Sequence, residues 1–147
     1  MKEDFVSFNL AKKLKEKGYP QNPDNMGCMP YYEYDDVANH SALCNEIVWH
    51  MSSEPRDNIF AAPAIHKVLK WLRREKKMYI EPCILVDYDT DADNNVINTY
   101  TYWSFSITSI ESGDMIYYEY EHIDDKRFDS YEQSATAGIE YVLDNLI

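Results

Sequence analysis

Between Ala62 and Ile147 the hydrophobic period changes twice, from 3.6 to 2 and back to 3.6. Few architectures satisfy both changes. In APAIHKVLKWLRREKKM, Ile65, Val68, Leu69 and Leu72 fall at i, i+3, i+4 and i+7, one stripe of an amphipathic helix. Pro63 suits its first turn, and Trp71 lies at the stripe's edge. In MYIEPCILVDY the pattern becomes alternation. Met78, Ile80, Ile84 and Val86 share one face, and Tyr79, Glu81, Leu85 and Asp87 share the other. Pro82 has no N–H to give a ladder, so this strand is an edge or is broken there. NVINTYTYWSFSITSI is a second strand, with Ile97, Trp103, Phe105 and Ile107 opposed to Tyr100, Tyr102, Ser104 and Ser106. ESGD is a hairpin turn and MIYYEYEHI a third strand. SYEQSATAGIEYVLDNLI returns to helix. Ser130 with Gln133 forms a capping box, and Ala135, Ile139, Val142, Leu143 and Leu146 form the buried stripe. Gly138 within it allows close packing against a sheet.

The first sixty residues are less regular. A short helix carries Phe5, Val6, Leu10, Ala11 and Leu14, with Ser7 as N-cap and Gly18 as the residue after the C-cap. Four lysines load its last turns, where cations suit the helix dipole. YPQNPDNMGCMP is a loop, and a short strand is expected around Tyr31–Tyr34. SALCNEIVWHM fits a strand or a short helix, and periodicity does not choose. The order is helix, short strands, helix, three-strand meander, helix. A helix cannot bury its stripe alone, and a meander has one apolar face. The expected fold is therefore α+β: one two-layer domain over residues 1–147, with an antiparallel sheet of three to five strands and helices on one face. Residues 61–147 form its α-β-β-β-α core.

At 147 residues and 45% apolar composition the chain has enough material for a buried core. No apolar run reaches the roughly 18 residues a membrane span needs. MKEDFVSF places acids where a signal peptide has its basic and apolar regions, so a cytoplasmic location is expected. The net charge of −12 is uneven: residues 1–80 hold 12 Lys/Arg and 11 Asp/Glu, and residues 81–147 hold 2 and 15. Such asymmetry bears on partners, not on fold. Cys28, Cys44 and Cys83 are too few and too widely spaced for a disulfide framework.

Three segments carry a resemblance: LAKKLKEKGYP, APAIHKVLKWLRREKKMYIEP and FDSYEQSATAGIEYVLDNLI. They resemble a family of short uncharacterised proteins of bacterial prophages and other mobile elements. The shared features are a VxKWLRE helix-to-strand passage and an SYEEA…AGI C-terminal helix. The resemblance spans residues 10–20, 63–82 and 128–147; Gln133 and Ser134 stand where the pattern has Glu and Ala. It implies an accessory protein of a mobile element and transfers no catalytic residue.

Several candidate sites compete with plainer readings. Asp87, Asp89, Asp91 and Asp93 repeat like the start of an EF-hand loop, but Ala92 replaces the required glycine and Asn98 the bidentate glutamate. The alternative is a solvated acidic turn. His40, Cys44 and His50, with Cys28, are zinc-ligand types at a spacing that matches no zinc module. Cys44 and His40 alone do not make a nucleophile site, which also needs an orienting group and an oxyanion hole. No Walker loop or nucleophile elbow is present. No cofactor and no small-molecule substrate are expected. Lys67, Lys70, Arg74 and Lys77 on the middle helix present a basic surface for phosphate, though the α-β-β-β-α order lacks the basic last-helix start of a double-stranded-RNA reader.

The meander's outer face is the favoured site. Tyr79, Leu85, Tyr100, Tyr102, Met115 and Tyr117 fall on it, away from the helices, and tyrosine and methionine are enriched in interfaces. The competing expectation is that the N-terminal part covers this face as a second core. The favoured function is protein–protein interaction, with another protein or as a homodimer, without catalysis. The alternatives are nucleic-acid binding through the middle helix, and an acidic inhibitor that imitates nucleic acid.

Overall fold

A computed structural model describes residues 4–21, 29–33, 48–50, 58–117 and 127–147. Its elements are α1 (Phe8–Glu16), β1 (Met29–Glu33), β2 (Val48–His50), β3 (Ile59–Ala61), α2 (Ile65–Glu75), β4 (Met78–Thr90), β5 (Val96–Ser109), β6 (Met115–Tyr117) and α3 (Tyr131–Asn145). The class is α+β, as the change of period requires. Among the described residues the strands do not join into one sheet. They form two three-stranded antiparallel sheets, ordered β2-β1-β3 and β4-β5-β6. The chain divides into two compact units, Met1–Trp71 with Leu143–Ile147, and Leu72–Val142.

In the first unit α1 has the ends that its sequence specifies. Ser7 Oγ accepts the Leu10 N–H at 3.3 Å. Gly18, at φ 85°, ends the helix, with its N–H on Lys15 O and the Tyr19 N–H on Leu14 O. This crossed pair is a Schellman motif. Leu10, Ala11 and Leu14 are fully buried. Phe8 meets Tyr32 and Phe60 edge-on, and those two rings stand on register partners of β1 and β3. The Tyr32 hydroxyl donates to Val6 O at 2.7 Å, so this buried phenol is satisfied, and burial pushes its pKa up. Residues 48–50 of the ambiguous segment are a strand, paired through Met29↔His50. α2 begins at Ile65, two residues after Pro63. Its first N–H is taken by Asp4 O at 2.9 Å, because Phe5 bridges to Ala64.

In the second unit β4 and β5 make a long hairpin, in continuous register from Met78↔Ser109 to Asp89↔Asn98 with a shift at Asp89/Thr90. Asp91 builds the turn. Its Oδ1 accepts the N–H groups of Asp93 and Asn95, both at 2.9 Å, and Asn94 takes a left-handed φ of 63°. At the next turn Gly113 has φ 74°, and Ser109 N–H reaches Asp114 O. After β6 the chain rejoins the sheet at Phe128, which bridges to Trp103. The α3 cap differs from a standard capping box. Gln133 N–H bonds Ser130 Oγ, but Gln133 Oε1 accepts from Asp129, one residue before the cap. Ile80, Phe105, Ile107, Ala135, Ile139 and Val142 are buried in this unit. α3 reaches the sheet at Gly138, where a Cβ would lie 2.7 Å from Ile80 Cγ2.

Ser104 is fully buried and its hydroxyl has no hydrogen-bond partner among the described residues. An unsatisfied buried hydroxyl costs roughly 1–3 kcal/mol. Ser104→Ala is therefore expected to raise stability by about 1 kcal/mol. A shift of the urea midpoint to higher concentration at unchanged slope would show it.

Candidate functional site: the free half of the β4–β5 hairpin

Length decides which part of the hairpin is covered. β4 has 13 residues, about 44 Å of strand, and the 15-residue α3 is about 22 Å long. One helix cannot roof such a strand. Ile80 and Phe105, beneath α3, are buried, while Ile84, Val86 and Tyr88 are 57%, 59% and 58% exposed. These three belong to the same face as Ile80, through Ile84↔Trp103, Val86↔Thr101 and Tyr88↔Thr99. Val96 and Ile97 on β5 are also exposed. The far half of the hairpin is an aliphatic surface that alternation alone assigns to the core.

The tyrosine-bearing face is divided. Tyr79, Tyr100 and Met115 are exposed, and Leu85 and Tyr102 are half-buried. The Arg127 guanidinium stacks on Tyr102 at 4.6 Å, and its Nη2 bonds Asp87 Oδ2 at 2.9 Å. The Tyr100 hydroxyl donates to Asp89 Oδ2 at 2.5 Å, which raises the phenol's pKa because the carboxylate disfavours phenolate. Tyr117 does not share the register of Met115. A shift between Ile107 and Thr108 sets Tyr117 opposite Ile107 and Met115 opposite Thr108, so the alternation counted along MIYYEYEHI breaks at that bulge.

The four aspartates do not converge. Asp87 is held by Arg127 and by the Tyr88 N–H, Asp89 by Tyr100, and Asp91 by its own turn. Among the described residues no group of three or more His, Cys, Asp or Glu is placed to hold a metal ion. The Asn95 N–H, then the Asn95 side-chain amide and the Asp93 N–H, hold Asp91 below the usual carboxylate value of 3.8. These bonds are made to the ionised form. Their support for the turn is thus complete above the unfolded pKa and is lost as pH falls through the lower folded value. An NMR titration of the Asp91 carboxyl carbon is expected to give a midpoint below the usual carboxylate value of 3.8. In Asn95→Ala, which keeps the backbone donor, the midpoint should rise only in part.

Cys28, His40 and Cys44 lie outside the described residues, as does the side chain of His50. On α2 and just beyond it, Lys67, Lys70, Arg74 and Lys77 are all exposed, and Lys77 Nζ donates to Arg74 O at 2.9 Å. No helix of the described residues is long and apolar enough to cross a membrane. Comparison with protein-family models, with characterised proteins and with solved structures returns no match.

Proposed function

We infer that the protein acts by protein–protein interaction, with the free half of the β4–β5 hairpin as its docking surface. One observation carries this reading. Ile84, Val86 and Tyr88 on one face, and Tyr100 on the other, stand exposed on a hairpin whose two strands pair in continuous register from Met78↔Ser109 to Asp89↔Asn98. Large exposed apolar patches usually mark a partner, and aromatic side chains supply much of the energy of interfaces. The reading adds the aliphatic stripe to the tyrosine face and needs no catalytic group. The mobile-element role implied by the sequence resemblance fits an accessory protein of this kind and rests on that resemblance alone.

The test is capture of a protein partner from the cells that make this chain, comparing wild type with the Ile84→Asp, Val86→Asp double variant. Both must be folded by circular dichroism. A partner held by the wild type and lost from the variant supports the reading. Equal capture by both, or capture by neither, contradicts it.

A second reading has its own observation, the four exposed cations of α2 and its end. A phosphate-binding surface there predicts nucleic-acid affinity that falls steeply with salt and is abolished by Lys70→Glu with Arg74→Glu. A fluorescence-anisotropy titration at low salt that shows no binding removes it.

A further inference from the structure

We propose that β4 accepts an extended, basic segment of a partner protein as an additional strand along its outer edge, centred on Ile84 and Val86. The proposal rests on the hairpin being a docking surface and specifies how docking occurs and what docks.

The backbone direction follows from Trp103. Its N–H donates to Phe128 O at 2.8 Å, and its carbonyl accepts from Phe128 N–H at 2.9 Å. Trp103 therefore spends both backbone groups on the side away from β4. Its register partner Ile84 is thus in a non-hydrogen-bonded pair of the β4–β5 ladder. With a two-residue alternation, the backbone groups of Ile80, Pro82, Ile84, Val86 and Tyr88 all point away from β5. Two features confirm this parity. Pro82 occupies one such position, where its missing N–H costs the ladder nothing. The Tyr88 N–H, at another, is taken by its own Asp87 carboxylate at 2.9 Å. Among the described residues β4 is the terminal strand of its sheet. Between Pro82 and Tyr88, the N–H groups of Ile84 and Val86 and their carbonyls have no partner among the described residues.

An unpaired edge is normally blunted by charge, proline or a bulge. Here Pro82 and the Asp89/Thr90 register shift bound the edge, and the stretch between them is left open beside the exposed Ile84, Val86 and Tyr88 side chains. Strand addition uses both at once. Main-chain bonds hold the guest, and its alternate side chains lie on the aliphatic stripe.

Charge selects the guest. Residues 78–117 contain seven acids (Glu81, Asp87, Asp89, Asp91, Asp93, Glu111 and Asp114) and no Lys, Arg or His. A strand added to β4 keeps the two-faced pattern of the sheet. Its apolar residues fall beside Ile84, Val86 and Tyr88, and the residues between them fall beside Leu85 at the centre and beside Glu81, Asp87 and Asp89 toward the ends, Asp87 being already paired with Arg127. Alternating aliphatic and basic residues satisfy both faces. A second copy of this chain does not, because two antiparallel β4 edges centred there would set Glu81 of one against Asp89 of the other, and the Arg127 that neutralises Asp87 is already spent on it.

The experiment uses the full chain, 15N-labelled, and a seven-residue peptide of alternating lysine and valine at low salt, with alternating glutamate and valine as the control. Saturation with the lysine peptide should slow amide exchange at Ile84 and Val86 at least tenfold. The glutamate peptide should have no effect, and Val86→Pro should abolish the protection, since it removes an edge donor as Pro82 does. If Val86→Pro fails to fold, Val86→Lys serves, placing a like charge on the stripe, and should also abolish it. Glu81→Gln with Asp89→Asn should weaken binding roughly tenfold, as expected for two surface ion pairs. Shifts confined to the Asp91–Asn95 turn, equal response to both peptides, or protection of Ile84 and Val86 by the protein alone at high concentration would each overturn the proposal. If partner capture still depends on Ile84 and Val86 while no edge protection occurs, strand addition fails and the docking surface stands. If capture is indifferent to those residues, both fall.

Discussion

Phe105→Ala is expected to lower stability by about 4 kcal/mol, at the centre of the range for deleting a buried phenylalanine. Its ring is among the largest fully buried side chains. It lies 3.2 Å from where a Cβ on Gly138 would stand, and 6.2 Å from the tilted Phe128 ring. It therefore joins β5, α3 and the segment that re-enters the sheet at Trp103. Truncation opens a cavity among rigid elements that cannot easily close over it. Since whole domains are stable by only about 5–15 kcal/mol, the melting temperature should fall by roughly 10 °C. Tyr100→Ala, on the exposed half of the same strand, should leave the melt nearly unchanged. Equal losses in the two variants would mean that the hairpin is uniformly packed along its length.

Gly138→Ala is expected to destabilise although alanine is the better helix former. Intrinsic propensity favours alanine by about 1 kcal/mol. Against that, the new methyl would sit 2.7 Å from Ile80 Cγ2 and 3.2 Å from Phe105 Cδ2. Both neighbours are buried on β4 and β5, and relief requires α3 to lift from the sheet. Overpacking of this kind costs about 1–3 kcal/mol before the propensity gain is subtracted, and more for a larger residue. The net loss for Gly138→Ala is about 1 kcal/mol, and Gly138→Val should lose at least twice that. Ile80→Val in the Gly138→Ala background does not remove Cγ2, so Ile80→Ala is the partner for a double-mutant cycle. Coupling that returns part of the loss would confirm the contact.

The elements with strong local signals were legible. The 3.6-residue stripes located α2 and α3, Ser7 and Gly18 set the ends of α1, and alternation put the residues of β4 and β5 on their correct faces. What alternation does not contain is the length of the cover. It assigned Ile84 and Val86 to the core because they share a face with Ile80. Thirteen residues of strand outrun the rise of 15 residues of helix, so one helix leaves that half of the strand uncovered. The register shift at Ile107/Thr108, which separates the registers of Met115 and Tyr117, has no marker such as a glycine at either residue. The partition into two sheets was hidden because β2 and β3 are three residues each, too short for any period to register. The cover over Tyr102 comes from Arg127, which pairs with Asp87 forty residues earlier, a contact that only the folded chain creates.

Ile84 and Val86 are surface while Ile80, on the same strand face, is core. Urea unfolding of Ile84→Thr with Val86→Thr, beside Ile80→Thr, tests this contrast most directly. Threonine keeps the β-branch and so the strand preference. The double variant is expected to stay within about 1 kcal/mol of wild type, and the single Ile80 variant to lose about 2–3 kcal/mol through lost packing and a buried hydroxyl. A double variant that unfolds as readily as Ile80→Thr would mean that the far half of the hairpin is core, and would contradict its role as a docking surface.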